Sequence, residues 1–407
     1  MENETTFDIE MKTGITAPKG FKAAGIHCGI KKSKKDLALI FSDSPATAAG
    51  VFTLNKVQAA PVLLCKQHLN KSNTFRAIIV NSGNANACTG VKGYEDAINM
   101  AEKTAEVLGL DPKEVFVSST GVIGEMLPMD KLLTGIDSIV NHLEVDDNLS
   151  AAEAILTTDT FVKSESITFM IGDKEVNIGG IAKGSGMIHP NMATMLAFVT
   201  TDAAIDKEIF QTVLKDVTDK TFNRIVVDGD TSTNDMVIAL ANGQSGIESI
   251  KPGTEAYNLF SENLCKVLKK LSIDIVSDGE GATKMIEITV DGALNDNDAE
   301  KAARTVALSP LVKTAFHGED ANWGRIIAAV GYSGIDFDPD KFEIIINGTP
   351  ILKQNYTVTL PIEDANKTLK PKNIKLHLKL NGGNGKATCW TCDFSEEYVK
   401  INGSYRT

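Results

Sequence analysis

A threonine between a glycine-rich loop and an apolar run is the residue of this chain best suited to chemistry. Residues 183–191 are rich in glycine, include Pro190 and begin with Lys183. Such a run favours neither a helix nor a central strand. Residues 195–199 are continuously apolar, which predicts a strand buried on both faces. Thr194 lies between the two, where a nucleophilic hydroxyl would be placed. The alternative is that Thr194 is an ordinary β-former at the start of a strand.

The Thr194 hydroxyl needs a base, since a hydroxyl is a poor nucleophile at its own pKa. The sequence shows no Ser–His–acid pattern of a catalytic triad, and His189 alone does not indicate one. A cut before Thr194 would create a free α-amino group with a reference pKa of about 7.7 to 8.0. That amine could accept the hydroxyl proton directly or through a water. The same hydroxyl could make the cut by attacking the carbonyl of Ala193, with an acyl shift and hydrolysis. We therefore predict self-cleavage between Ala193 and Thr194.

Three polar segments follow predicted strands and could border a site. Residues 81–86, after the strand 76–80, form either a ligand edge or a plain loop. At the end of the strand that begins at Val115, Thr120 and Gly121 could donate a hydroxyl and a backbone N–H to a reacting oxygen, or form a simple turn. The loop 228–235 carries carboxylates but lacks the closing glutamate of an EF-hand. We interpret it as a structural loop or the edge of a site.

Strands alternate with helices along the chain, which predicts an α/β fold in three regions, roughly 1–190, 194–335 and 340–407. A strand is expected at 273–276, directly after a helix at 255–271. Beyond Lys341 we expect antiparallel hairpins, one of which pairs the strand 374–380 with the strand that follows 381–385. Helical spacing occurs in six segments: 94–108, 148–156 (capped by Asn148 or Ser150), 207–221, 255–271, 299–308 and 323–330.

Composition and charge exclude several classes of function. The chain has 407 residues, a formal net charge of -12 and no basic block, which argues against nucleic acid and anionic membranes as partners. Neither a signal-peptide pattern nor an apolar run of about 18 residues is present, so we expect a cytoplasmic protein. The histidines show no metal-ligand spacing, and we predict neither a metal nor a cofactor.

Cys389 and Cys392 form a C-x-x-C pair within a predicted strand, where they would point to opposite faces. No second pair and no histidine at zinc-finger spacing accompanies them. We interpret the pair as inert, with zinc or redox use as the alternative.

The run 183–196 resembles the self-cleavage site of the ornithine acetyltransferases, which are the glutamate N-acetyltransferases of arginine biosynthesis. The resemblance extends over essentially the whole chain. It includes the segments 81–86, 119–124, 228–235 and 317–325 and the C-terminal end.

The resemblance implies a ping-pong reaction in which Thr194 takes acetyl from N-acetylornithine, releases ornithine and passes the acetyl to glutamate. It implies that Thr120 and Gly121 stabilise the oxyanion. It also implies a set of substrate-binding residues: Thr158, Lys183, Thr194, Glu280, Asn402 and Thr407. Lys183 suits a substrate α-carboxylate and Glu280 an ammonium group. The alternative for Lys183 and Glu280 is that both are exposed loop charges.

The fold implied by the resemblance is a layered α/β sandwich with two central sheets plus a small C-terminal α/β domain, in a self-cleaving Thr-nucleophile family. Cleavage would give an α chain, 1–193, with the N-terminal α/β domain. The β chain, 194–407, would contain a core domain at 194–335 and the small domain at 340–407. The implied assembly is an α2β2 heterotetramer.

Two other functions are alternatives to the transferase hypothesis, and one question within it stays open. An N-terminal-threonine amidohydrolase or aminopeptidase would release the acyl group to water instead of glutamate. A non-catalytic binding protein would keep Thr194 as a strand residue in an intact chain. Within the transferase reading, the sequence leaves open whether acetyl-CoA also serves as an acetyl donor.

Overall fold

The computed structural model describes residues 14–145, 147–189 and 195–404. The predicted cleavage residues Ala193 and Thr194, and the predicted substrate contact Thr407, lie outside the described residues. The other six predicted site residues lie within them.

Fifteen strands occur in the described residues: β1 Phe21–Ile26, β2 Leu37–Phe52, β3 Phe75–Asn84, β4 Val115–Val122, β5 Lys163–Ile171, β6 Lys174–Lys183, β7 Leu196–Thr201, β8 Ile225–Val226, β9 Met236–Ala241, β10 Met285–Ala293, β11 Glu343–Ile346, β12 Thr349–Lys353, β13 Thr357–Val358, β14 Asn373–Lys379 and β15 Gly385–Cys392.

Eleven α-helices occur in the same residues: α1 Ala60–Lys71, α2 Gly90–Leu108, α3 Met129–Ile139, α4 Asn148–Ala154, α5 Lys207–Lys220, α6 Glu255–Ser277, α7 Asp296–Leu308, α8 Pro310–His317, α9 Trp323–Gly331, α10 Ile362–Lys367 and α11 Glu396–Ser404. Short 3-10 helices occur at Gly14–Thr16, Pro112–Glu114, Val140–His142, Phe222–Arg224 and Pro339–Lys341.

The first sheet has the strand order β4-β3-β2-β9-β7-β6-β5, and β1 pairs with β2. Strands β3 and β4 are parallel, with Ser82 opposite Thr120. Strands β6 and β7 are antiparallel, with Lys183 opposite Leu196. Leu196 is in turn opposite Met236 at the start of β9. This register brings the end of β6 together with the starts of β7 and β9.

The second sheet has the order β13-β12-β11-β14-β10-β15-β8. The predicted hairpin between β14 and β15 is wrong, because β10 lies between them. Strand β10 is parallel to β14 and antiparallel to β15. The isoleucines and valine of β10 that point into the core are fully buried, and this burial favours a central position over an edge. The strands beyond residue 340 therefore share one sheet with β10 and β8.

Helices form layers on both sides of each sheet. Phe210 of α5 and Phe260 of α6 share one hydrophobic core with Val199 of β7 and Trp390 of β15, so α5 and α6 pack between the two sheets. Helices α7 to α9 cover the other face of the second sheet. Helices α1 to α4 cover the first sheet. The layered α/β arrangement with two sheets is confirmed.

Two local predictions are wrong. Helix α6 runs over 23 residues to Ser277, so the strand expected at 273–276 is the last turn of this helix. Its apolar side chains continue the buried face of the helix, and the segment contains no glycine or proline that would end it. Helix α4 is capped by the side chain of Asp147, which accepts a hydrogen bond from the Ser150 backbone N–H, and not by Asn148 or Ser150.

Candidate active site

A cavity of about 210 Å³ opens where the two sheets and α11 meet. It brings together residues from seven separate parts of the sequence. All six predicted site residues that the structure describes line it: Thr120, Gly121, Thr158, Lys183, Glu280 and Asn402.

Thr120 and Gly121 lie at the end of β4, on the wall of the cavity. The Gly121 φ angle is +132°, a conformation that glycine adopts far more readily than other residues. A Cβ at this position would also overlap the backbone of Gly83 and Asn84 on the neighbouring strand. The side chain of Thr120 is almost completely buried. Both the turn and the close strand contact therefore require glycine beside the hydroxyl.

Lys183 is the last residue of β6, and only 3% of it is exposed. Its ammonium group donates a hydrogen bond to the Thr120 hydroxyl oxygen at 3.3 Å. Burial lowers the pKa of Lys183, while the nearby carboxylate of Asp159 acts in the opposite direction. Because an ammonium can only donate, the Thr120 oxygen is the acceptor in this contact. The loop-charge alternative for Lys183 is therefore wrong.

Glu280 lies across the cavity on the segment that follows α6. Its Oε2 accepts a hydrogen bond from Asn402 Nδ2 of α11 at 2.8 Å. Its backbone N–H donates to the Ser185 carbonyl at 2.8 Å. The Glu280 carboxylate packs against Gly186, where any side chain would collide with it. Glu280 is buried, so the loop-charge alternative is wrong for this residue too.

Thr158 completes the predicted set from the loop between α4 and β5. Its hydroxyl lies 2.6 Å from the Ser185 hydroxyl. Ser185 thus contacts both Thr158, through its side chain, and Glu280, through its carbonyl. The glycine-rich segment after β6 acts as the common support of these two side chains.

The loop 228–235 forms another wall, and Asp228, Asp230, Ser232 and Asn234 all border the cavity. Asp228 accepts hydrogen bonds from the backbone N–H groups of Met187 at 2.6 Å and Ile188 at 2.9 Å. Burial raises the pKa of Asp228 to about 6. The loop therefore borders the cavity that the predicted site residues line. The signal in the sequence was the density of polar side chains between two strands.

Sequence reasoning did not single out Asn234 and Asp235. The Asn234 amide donates to the Ala85 carbonyl at 2.5 Å and to the Ser119 carbonyl at 2.9 Å, so it ties the ends of β3 and β4 to this loop. Asp235 is fully buried, and its Oδ1 accepts from the Met195 backbone N–H at 3.0 Å. Met195 directly follows Thr194 in the sequence.

The asparagines of 81–86 support the site without lining it. Asn81 accepts from the Ser119 hydroxyl at 2.6 Å and donates to the Asn84 carbonyl at 2.9 Å. Asn86 has a φ angle of +47° and donates to the Gly93 carbonyl. Of this segment only Ala85 borders the cavity. Asn86, with its positive φ, fits the plain-loop alternative, whereas Asn81 and Asn84 belong to the end of β3.

Cys389 and Cys392 lie on opposite faces of β15, as predicted. Cys389 belongs to the core of the second sheet and α7 to α9, and Cys392 belongs to the core between the sheets. Within the described residues, no group of three or more metal-ligating side chains is present. The same residues contain no helix that is both long and apolar enough to cross a membrane.

The chain is similar to named proteins over nearly its whole length. A relative from Symbiobacterium thermophilum named arginine biosynthesis bifunctional protein ArgJ is 50% identical over 397 residues, which is 97% of this chain and 98% of the relative. The protein of the same name from Oceanobacillus iheyensis is 46% identical over 409 residues and covers 100% of both chains.

The solved structure of the argJ protein from Bacillus halodurans matches with 44% identity and a TM-score of 0.50, over 51% of this chain and 98% of that one. The model of the ArgJ family matches residues 22–407. This chain belongs to the ArgJ family.

Proposed function

We propose that this enzyme transfers acetyl from N-acetylornithine to glutamate by a ping-pong mechanism through an acetyl-Thr194 intermediate. The observation that carries the proposal is the convergence of six predicted site residues on one cavity. Two relatives that match nearly the whole chain are named bifunctional proteins of arginine biosynthesis, which supports the pathway.

Thr194 becomes the nucleophile after cleavage between Ala193 and Thr194. The B. halodurans structure supports this step, because 51% of this chain covers 98% of that one, so that chain is about half as long. The hydrogen bond between Met195 and Asp235 supports it as well, since it ties the residue that follows Thr194 to the neighbour of Asn234, which lines the cavity. The free α-amine of Thr194 then serves as the base for its own hydroxyl.

The first half-reaction acylates the enzyme. The Thr194 hydroxyl oxygen attacks the acetyl carbonyl carbon of N-acetylornithine while its proton moves to the α-amine. The carbonyl oxygen becomes an oxyanion and accepts hydrogen bonds from the Gly121 N–H and the Thr120 hydroxyl. Collapse of the intermediate breaks the C–N bond, and the ornithine nitrogen takes the proton as it leaves.

The second half-reaction reverses these steps with glutamate. The α-amine of glutamate attacks the acetyl ester, and the Thr194 oxygen leaves and recovers a proton. Lys183 pairs with the substrate α-carboxylate, with Thr158 beside it, and Glu280 pairs with an ammonium group. Asn402 holds the Glu280 carboxylate in place, and Thr407 is a further substrate contact. The α-carboxylate is common to N-acetylornithine and glutamate, so the Lys183 contact can serve both half-reactions.

The remaining parts of the proposal concern the assembled protein. The α chain 1–193 holds the N-terminal domain. The β chain 194–407 holds the core segment 194–335 and the C-terminal segment 340–407, whose strands share the second sheet. Two copies of each chain form an α2β2 heterotetramer. The enzyme works in the cytoplasm on small-molecule substrates.

The first test is a denaturing gel. The parent chain should split into two bands near the sizes of 1–193 and 194–407, and Thr194→Ala should stay at full length. Thr194→Ser keeps a hydroxyl and should still split. Splitting of Thr194→Ala would remove Thr194 from the role.

The second test is an assay of N-acetylornithine with and without glutamate. The transferase requires glutamate for continued release of ornithine, and N-acetylglutamate should appear in equal amount. Release that is indifferent to glutamate would instead identify an N-terminal-threonine amidohydrolase or aminopeptidase. Intact protein without turnover would favour a binding protein. A further assay with acetyl-CoA and glutamate alone decides whether acetyl-CoA is a second donor.

A further inference from the structure

Lys163, at the start of β5, is completely buried behind the wall of the cavity. Its ammonium nitrogen lies 2.7 Å from Asp159 Oδ1 and 2.5 Å from Asp278 Oδ2. The Asp159 and Asp278 side chains are themselves 0% and 2% exposed. Lys163 is not among the described residues that line the cavity. The three charges form a cluster that the proposed reaction does not use directly.

Asp159 connects the cluster to two of the predicted substrate contacts. It follows Thr158 directly in the sequence. Its Oδ1 also accepts from the Gly184 backbone N–H at 2.7 Å, and Gly184 follows Lys183. Its Oδ2 accepts from the Thr157 backbone N–H at 3.0 Å. One carboxylate thus fixes the backbone on both sides of the site.

Asp278 connects the cluster to the third contact. It lies two residues before Glu280, at the end of α6. Its Oδ2 accepts from the Thr160 backbone N–H at 3.0 Å, and its Oδ1 accepts from the Thr160 hydroxyl. The segment before β5 is therefore held to the segment that carries Glu280, with the Lys163 ammonium between them.

The charges of the cluster reach Lys183 as well. Burial alone would raise the pKa of Asp159, but the ammonium groups of Lys183 and Lys163 outweigh burial and lower it. Two carboxylates against one ammonium leave a negative charge, which Lys183 balances. Buried ion clusters of this kind are expensive to desolvate and are weak evidence for a role in stability alone.

We propose that Lys163 is a positioning residue of the substrate site. Its ammonium joins the three segments that carry Thr158, Lys183 and Glu280, so it sets the distance between the groups that bind the carboxylate and the ammonium of the substrate. This inference rests on the proposed transferase function, because Lys163 would position the residues that bind the substrates of that reaction.

Removal of the ammonium should weaken binding more than chemistry. In Lys163→Met, the Asp159 carboxylate loses its ion pair with Lys163. It then draws the Lys183 ammonium away from the substrate carboxylate. Thr120 and Gly121 are fixed by β3 and Asn234 and not by Lys163. We expect KM for N-acetylornithine and for glutamate to rise about tenfold or more, with a smaller change in kcat.

The experiment compares three variants of the full chain with the parent. Lys163→Met removes the ammonium, and Asp278→Ala keeps the Lys163–Asp159 pair while releasing the Glu280 segment. Lys207→Met is the control, since Lys207 donates to the carbonyls of Leu69 and Ser72 on another part of the surface. The thermal midpoint is recorded separately. Rates are divided by the fraction of β chain that N-acetylornithine acetylates, measured by mass, so misfolded protein is not counted.

The outcomes separate this inference from the proposed function. A parent that cleaves but transfers no acetyl overturns the proposed function. An active parent whose KM values stay within about twofold in folded Lys163→Met and Asp278→Ala overturns the role of Lys163. If Lys163→Met does not fold, Asp278→Ala alone decides by the same criterion. A raised KM in both variants, with Lys207→Met unchanged, supports the inference.

Discussion

The ammonium nitrogen of Lys183 lies 3.3 Å from the hydroxyl oxygen of Thr120, and both side chains are buried at the cavity wall. An ammonium can only donate, so the Thr120 oxygen accepts and its proton is free to point at a bound substrate. The same contact links the group proposed to hold the substrate carboxylate to the group proposed to stabilise the oxyanion.

Thr120→Val should therefore lower kcat more than it raises KM. The variant keeps the shape of the side chain but removes a donor to the oxyanion, and losses of about 100- to 1,000-fold in kcat are typical of such changes. Ser118→Ala on the same strand is the control, because the Ser118 hydroxyl is buried with no hydrogen-bond partner among the described residues. Equal kcat values in Thr120→Val and Ser118→Ala would exclude Thr120 from the chemistry.

Gly121→Ala should nearly abolish turnover. Its Cβ would overlap the backbone of β3, so β4 must shift and carry the backbone N–H away from the oxyanion. Gly124→Ala is a matched control, because Gly124 also has a positive φ of +82° but has open space around its Cα. That control should lose about 1–2 kcal/mol of unfolding free energy, because alanine is disfavoured at a positive φ, and retain most of its activity. Urea unfolding and steady-state kinetics on both variants test the difference.

Asn234→Leu should lower both stability and kcat. The substitution leaves the buried carbonyls of Ala85 and Ser119 without their amide donor, at a cost of about 1–3 kcal/mol in unfolding free energy. Since Ser119 precedes Thr120, its displacement also moves Thr120 and Gly121, the proposed oxyanion donors. Asn242→Leu is the control, because Asn242 donates to an exposed carbonyl, that of Lys19, away from the cavity. A kcat that falls equally in both variants would contradict this role.

Local patterns in the sequence predicted most strands and helices, because apolar periodicity and breakers are local signals. These patterns gave wrong predictions where contacts between segments distant in the sequence determine the structure. The strand β10 separates β14 from β15, and nothing between residues 374 and 392 indicates an insertion from residues 285–293. The apolar segment 273–276 has the composition of a strand, yet it continues α6 because its side chains extend the buried face of that helix.

The candidate site shows the same division. Thr120 was singled out from its place at the end of a predicted strand, Lys183 and Glu280 were predicted from the family resemblance, and the cavity joins all three. Lys163 was not predicted, because a lone lysine at the start of a strand normally indicates an exposed residue. Its partner Asp278 is 115 positions away in the sequence, so the ion pair becomes visible only when β5 and α6 are placed together.

The cysteine pair should resist alkylation in the native protein. Burial raises the pKa of Cys389 to about 11 and also raises the pKa of Cys392, and the thiolate is the reactive form. Cys88 is exposed and should react first with iodoacetamide. Mass spectrometry of digested protein should find label on Cys389 and Cys392 only after unfolding in urea. Rapid native labelling of either would favour a redox or metal role over the inert pair.

His317 should make the anchoring of α11 depend on pH. Its Nδ1 lies 2.8 Å from Asp393 Oδ2, and its Nε2 lies 3.2 Å from Oε2 of Glu396, which begins α11. The hydrogen bond with Asp393 raises the pKa of His317 above its ordinary 6.5. Because the folded state holds the proton more tightly, this stabilisation is fully present below pH 6.5 and is lost as pH rises through the higher folded pKa.

The difference in unfolding free energy between the parent and His317→Gln should therefore be largest in acid and shrink above neutral pH. Urea unfolding from about pH 5.5 to about pH 8.5 measures it. His142→Gln, on the exposed surface, controls for the loss of an imidazole. Since α11 carries Asn402, which holds the Glu280 carboxylate, KM of His317→Gln should also exceed that of the parent most clearly at acidic pH. A difference that grows with pH would show that His317 folds uncharged and does not anchor the helix by its charge.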